Sequence, residues 1–176
     1  MKKTVLTYGL ISGALLSGML IAVLPFQDAI GFDWGAVIGY TSMVLAFLLV
    51  FFGVRSYRDN VAGGTIRFGR AFAVGALIAA VASLCYVATW EVIYFKFAPD
   101  YSVRYEEHVL AKARAEGQSE EAIARKKAEM DQFKEFYDMP AVNAAMTFLE
   151  PLPVALVMSL LTAGILSRRK EETSAS

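Results

Sequence analysis

Four long stretches of the chain carry almost no charge, and the polar residues collect between them. The first runs from Thr4 to Gln27 and the second from Trp34 to Val54. The third runs from Ala71 to Trp90 and continues through Val92-Ile93-Tyr94-Phe95 after a single acid, Glu91. The fourth runs from Met139 to Ser167, interrupted only by Glu150. Crossing about 30 Å of hydrocarbon takes about 20 helical residues at about 1.5 Å each, and every stretch meets that length. None shows the alternation of a barrel strand. Helix is therefore the form that closes every backbone hydrogen bond inside the segment. The pattern predicts an all-α membrane protein. It has four transmembrane helices, at about 4–26, 34–54, 71–95 and 147–167, with an extracytoplasmic helical insert between the third and fourth.

The insert, about 99–138, has its own punctuation. Pro99 stops the third span, and Asp100 or Ser102 is placed to cap a new helix. That helix is expected to reach about Glu116, with Gly117 as its stop. Ser119 followed by Glu120-Glu121 marks a second helix start, because acids favour the positive helix end. The second helix carries a stripe of Ile123, Met130, Phe133 and Tyr137. Arg125, Lys126, Glu129, Asp131 and Glu135 form its solvated face. The stripe is expected to pack inside the molecule first, then against a second subunit, then on lipid; mixed charge signs argue against a basic membrane-surface helix.

Composition agrees with the pattern. Of 176 residues, 56% are hydrophobic and only 19% charged, with a mean hydropathy of +0.46. A soluble domain has about 45–50% and about 25%. A soluble enzyme, a disordered chain and a disulfide-stapled secreted domain are thereby excluded. Lys+Arg and Asp+Glu balance at 17 each, so there is no basic field for nucleic acid. The first stretch opens with Met1-Lys2-Lys3, like a signal peptide, but its apolar part exceeds the about 7–15 residues of a signal core. It has no small-x-small cleavage site after it, so a retained span is expected.

Basic residues orient the chain. Lys2 and Lys3 precede the first span. The link to the second carries Asp28 and Asp33 and no base. The second link carries Arg55, Arg58, Arg67 and Arg70, and the C-terminus Arg168, Arg169 and Lys170. Both termini and the second link are thus expected in the cytoplasm of a bacterial inner membrane protein. The segment 96–138 runs against this contrast, with eight bases against nine on the three inner segments. The first half, six against none, decides the orientation. Phe26, Trp34, Trp90, Tyr94 and Phe148 are expected at the outer interface as anchors, and Tyr57 and Phe68 at the inner one. The expected domain is a single membrane unit, 1–170, with a disordered tail, 171–176.

Lipid tails are as apolar as leucine, so membrane helices associate through close backbone approach. Small residues recur at spacing four on every span: Gly9, Gly13 and Ser17; Gly35 and Gly39; Ala71, Gly75, Ala79 and Ser83; Ala155, Ser159, Ala163 and Ser167. These ladders predict a compact bundle able to associate further. There is no internal repeat of the kind many secondary transporters carry.

Little in the chain offers catalysis. Cys85 reads as a small buried hydrophobe, and His108 has no neighbouring metal ligand. The Arg55–Arg70 link turns at Gly63-Gly64 and suits anionic head groups, but lacks the ending of a phosphate-binding loop. No catalytic residue, metal or cofactor is expected, and the chain is not expected to be an enzyme. Two acids remain. Glu91 lies about 31 Å along a helix from Arg70, and Glu150 about 27 Å from Arg168, so both belong near the same outer depth. An intramembrane acid is a functional-site hypothesis by default. The plainer reading is that each marks a helix end. The sharper one is a paired carboxylate site for a proton or cation, formed by Glu91 and Glu150 with Pro151 and Pro153. The two prolines cannot donate to Thr147 and Leu149, and they bias Glu150 and Leu152 away from helical geometry. A short helix, about Ala141 to Leu149, is therefore expected before a membrane segment starting near Pro151. The freed carbonyls could face a cation; a structural kink is the simpler account.

Thr65-x-x-Phe68-Gly69-x-Ala71-Phe72 opens the third span, which continues Ser83-x-x-Tyr86-x-x-x-Trp90 and Tyr94. Phe148-Leu149-Glu150-Pro151-Leu152-Pro153 leads into Ser159-Leu160 and Ile165-Leu166. With the insert before the fourth span, these residues resemble the bacterial domain-of-unknown-function family 4199 over nearly the whole chain. The resemblance implies a small bacterial four-span membrane protein and brings no activity with it. The leading functional expectation is a noncatalytic membrane component that assembles with itself or binds a membrane partner, its first partner being the lipid bilayer. The alternative is a small cation- or proton-coupled transporter or channel using Glu91 and Glu150.

Overall fold

The computed structural model describes residues 1–167; the basic cluster Arg168-Arg169-Lys170 and the tail 171–176 lie outside the described residues. The fold is all-helical, with no strand among the described residues. The helices are α1 (Lys2–Val23), α2 (Gln27–Asn60), α3 (Phe68–Val92), α4 (Tyr101–Ala115), α5 (Glu120–Tyr137), α6 (Pro140–Leu149) and α7 (Leu152–Leu166). A single 3₁₀ turn, Leu24–Phe26, joins α1 to α2, and a π-turn, Ile93–Phe97, closes α3.

Three helical stretches are long and apolar enough to cross a membrane: Lys2–Asn60, Phe68–Phe97 and Pro140–Leu166. The first is folded back on itself. Ser12 Oγ donates to the Ala46 carbonyl at 2.8 Å, although 34 residues of straight helix would separate them by about 51 Å. Gly31 makes the reversal, with φ 74° and ψ 164° inside α2. That conformation is open to glycine and strained for residues with a Cβ.

The contacts fix the polarity of the bundle. Gly9 faces Val81 and Gly13 faces Cys85, so α1 and α3 run parallel. Gly75 faces Ser159 while Tyr86 meets Glu150, so α3 and α7 are antiparallel. The glycines on α1 are there because nothing larger fits. A Cβ on Gly9 would lie 2.6 Å from Val81 Cβ, and one on Gly13 2.6 Å from Cys85 Cβ. Next along the same ladder, the Thr89 hydroxyl donates to Ser17 Oγ at 2.8 Å. The small-residue ladders of α1, α3 and α7 are thus spent within the chain, bringing backbones close enough for dispersion to hold them. Phe47, Val50, Val54, Val74 and Ile78 fill the half of the bundle away from the insert and are fully buried. Around the outside, Leu6, Leu10, Leu48, Leu84, Val157 and Leu161 form an exposed apolar belt, larger than a water-facing surface tolerates.

Of the local signals, the Ser119 start and the glycine turns are realised, and the expected cap of α4 by Asp100 or Ser102 is not. Ser119 Oγ accepts from the Ala122 amide at 3.3 Å. Gly117, Gly63 and Gly64 all take positive φ. Asp100 sits at the start of α4 but makes no side-chain cap. Ser102 does not cap either; it bonds the Tyr94 hydroxyl.

Candidate functional site

The helices α4 and α5 lie as a cap over one end of the bundle, fastened on two sides. On the first side, the link between α1 and the long limb of α2 supplies the acids. Asp28 pairs with Arg104, and Asp33 pairs with Lys112 at 3.0 Å with His108 Nε2 at 3.6 Å. Phe32, between those acids, packs on Tyr101, Tyr105 and His108 with ring centroids 5.3 to 5.5 Å away. The Lys112 ammonium holds the Asp33 carboxyl below the ordinary carboxylate range.

On the second side the fastening comes from α3. Trp90 Nε1 donates to the Tyr137 hydroxyl at 3.0 Å. The Tyr94 hydroxyl donates to the Asp138 carboxylate, which Lys134 also pairs. The π-turn after Val92 begins here. Asn143 Nδ2 donates to the Tyr137 carbonyl at 3.1 Å, and Thr147 Oγ1 to Asn143 Oδ1 at 3.3 Å. Trp90 and Tyr94 are therefore not lipid anchors: they are 7% and 2% exposed, under the cap. Phe26 and Trp34, at 61% and 68%, are exposed as an interfacial anchor would be. Tyr57, read from the sequence as an inner anchor, is buried in the core instead. Of the expected stripe, Ile123 is buried with Leu110 and Ala113, Tyr137 is half-buried, and Phe133 is exposed.

Between cap and bundle lies a cavity of about 430 Å³. Leu16, Leu20, Val23 and Met43 form its apolar wall, and Gly39 leaves room on α2. Tyr86, Trp90, Tyr101 and Tyr137 form its aromatic wall, with Glu150 among them. The Tyr86 hydroxyl donates to Glu150 Oε2 at 3.1 Å. Burial pushes the Tyr101 hydroxyl up to about 12. Burial also raises Tyr137, with Thr147 and Trp90 acting against it and the charges of Glu150 and Glu91 adding to it.

The helix break places Glu150. α6 ends at Leu149 and α7 begins at Leu152, with Pro151 and Pro153 in its opening turn, where a missing amide hydrogen is no loss. The expectation that proline displaces Glu150 from helical geometry is not met: Glu150 has φ −58° and ψ −51°. The steric bias before proline is a preference, and the Glu150 amide keeps its bond to the Met146 carbonyl at 3.2 Å. Glu91 sits elsewhere. It lies one and a half turns beyond Tyr86, outside the cavity wall, with Oε1 buried and no hydrogen-bond partner among the described residues. No hydrogen bond joins Glu91 to Glu150; they meet only through their effect on Tyr137. Among the described residues no group of three His, Cys, Asp or Glu side chains is placed to hold a metal ion.

The family described as "Protein of unknown function (DUF4199)" matches residues 7–168. The chain belongs to that family. The match runs from α1 past the end of α7, so cap, helix break and cavity all fall within it. No curated protein and no solved structure matches the chain.

Proposed function

We propose that this member of the family is a noncatalytic membrane component that works by binding. It crosses the bacterial inner membrane four times with both termini in the cytoplasm. The reversal at Gly31 and the antiparallel α1–α2 contact support counting Lys2–Asn60 as two crossings. The basic second link, at the far end of the bundle from the cap, supports the orientation.

The observation that carries the binding role is the cavity beneath the cap. It is of small-molecule size, mostly apolar, and supplied with a few convergent polar groups. The cap is fastened by ion pairs, hydrogen bonds and aromatic contacts at its edges, so it suits a cover over an occupant. A transport role draws on Glu150 at a broken helix. It is the second reading, because the other half of the bundle is filled by Phe47, Val50, Val54, Val74 and Ile78. Self-association through the ladders draws less support, since α1, α3 and α7 already use them internally.

The test is purification in native-lipid nanodiscs followed by native mass spectrometry. Wild type should retain a bound small molecule or partner that the cavity-filling variant Gly39→Phe loses; nothing stands within 4 Å of a Cβ at Gly39. Proteoliposome flux that disappears with Glu150→Gln would put transport first instead.

A further inference from the structure

Three groups lining the cavity carry charge, and two of them are already answered. Glu106 is paired by Lys127 at 2.9 Å, and Lys134 is paired by Asp138. Glu150 has no cationic partner among the described residues; its contact is the Tyr86 hydroxyl, a neutral donor. Glu150 is therefore the one carboxyl in the cavity lining with no cation beside it among the described residues.

Rings line the same cavity as this exposed carboxyl. Trp90 and Tyr101 stand edge to face at 4.9 Å, Tyr137 lines the wall with them, and Tyr86 bonds the carboxyl itself. Aromatic faces attract cations through their quadrupole, most strongly when water is excluded. A small metal ion would need about six oxygen ligands. Here a single carboxylate is offered, and hydroxyls on rings take the remaining places. A bulky, weakly hydrated cation asks for the reverse: one countercharge and several π faces. The opposite wall, Leu16, Leu20, Val23 and Met43, suits an aliphatic or aromatic body attached to that charge.

We propose that the cavity binds a lipophilic organic cation, an amine or quaternary ammonium, with its charged group between the Glu150 carboxylate and the rings of Trp90, Tyr101 and Tyr137. This rests on the binding role proposed above and names the ligand class. Glu150 is the countercharge, Tyr86 orients that carboxylate, and Gly39 leaves space for the body of the ligand. Glu91 takes no part.

The test uses benzyltrimethylammonium as probe and neopentylbenzene as its neutral isostere. The full chain, in nanodiscs, is titrated with each. Trp90 fluorescence gives the readout in a Trp34→Phe background, which leaves Trp90 as the sole indole. The cation should bind about tenfold tighter than the isostere, and Glu150→Gln should remove that preference. Glu91→Gln should leave both affinities unchanged. The comparison of the two probes in the Trp34→Phe background needs no change at Glu150, so it decides the matter even where Glu150→Gln fails to fold. Equal binding of the two probes overturns the cation assignment while leaving the cavity a binding site. Binding of neither overturns both. Displacement of the cation by millimolar Na⁺ or Ca²⁺ overturns the organic class in favour of a metal ion.

Discussion

The Tyr86 hydroxyl reaches the Glu150 carboxylate across 64 residues of sequence, at 3.1 Å. The bond ties the middle of α3 to the break between α6 and α7 and turns the acid toward the cavity. Tyr86→Phe removes the donor and keeps the ring. A hydrogen bond to a charged acceptor contributes about 1.5–3 kcal/mol, and Glu150 is open to the cavity, so the expected loss is at the lower end. Unfolding in mixed micelles, compared between wild type and variant, measures it.

Close approach of α1 to α3 is the main device holding the bundle. Gly13→Val puts its side chain into Cys85 and the Ala82 backbone, the latter 3.3 Å from the new Cβ. Overpacking of this kind costs about 1–3 kcal/mol, and here a backbone must move. Gly18 has nothing within 4 Å, so Gly18→Val should leave the protein unchanged. Size-exclusion profiles of the two fluorescent fusions should show loss of the folded peak for Gly13→Val only.

Trp90 fastens the end of α5 through a single bond to Tyr137. Trp90→Phe should cost about 1 kcal/mol of local stability, which raises amide exchange about fivefold where opening is local. Hydrogen exchange at the C-terminal end of α5 should rise, while the α2–α3–α7 core stays protected.

Acid should loosen the cap. Asp33 is lowered from 3.8 by the hydrogen bond from Lys112. Asp138 is raised by burial, but the bonds from Lys134 and Tyr94 outweigh that and leave it lowered from 3.8. A depressed carboxylate stabilises the fold above its unfolded value, and that stability is lost as pH falls through the folded value. Exchange protection in α4 and α5 should therefore hold down to about pH 4 and decline below it. Asp33→Asn combined with Asp138→Asn should flatten the dependence.

Legibility followed distance along the chain. The Ser119 cap, the Gly117 stop and the break at Glu150-Pro151 are local chemistry, and each stands where the residues place it. Small residues at spacing four marked the helix faces, but not that α1, α3 and α7 would spend them on one another. The cavity was hidden because its walls come from residues as far apart as Leu16 and Glu150, and no periodicity links them. Trp90 and Tyr94 look like interfacial aromatics, since amphipathic rings near a span end suit that depth. Tyr137, Asp138 and Ser102 instead give their polar atoms partners inside the protein, and burial follows. The reversal at Gly31 had one visible signal, a glycine between Asp28 and Asp33 at a span boundary.

The most direct test of the membrane arrangement is labelling of single cysteines, in a Cys85→Ala background, with an impermeant maleimide in intact cells. Cysteine at Gly117, between α4 and α5, should react from outside. Cysteine at Gly63, between α2 and α3, should react only after the membrane is opened. Reaction of both positions from the same side would contradict a cap held on the opposite face from the basic link.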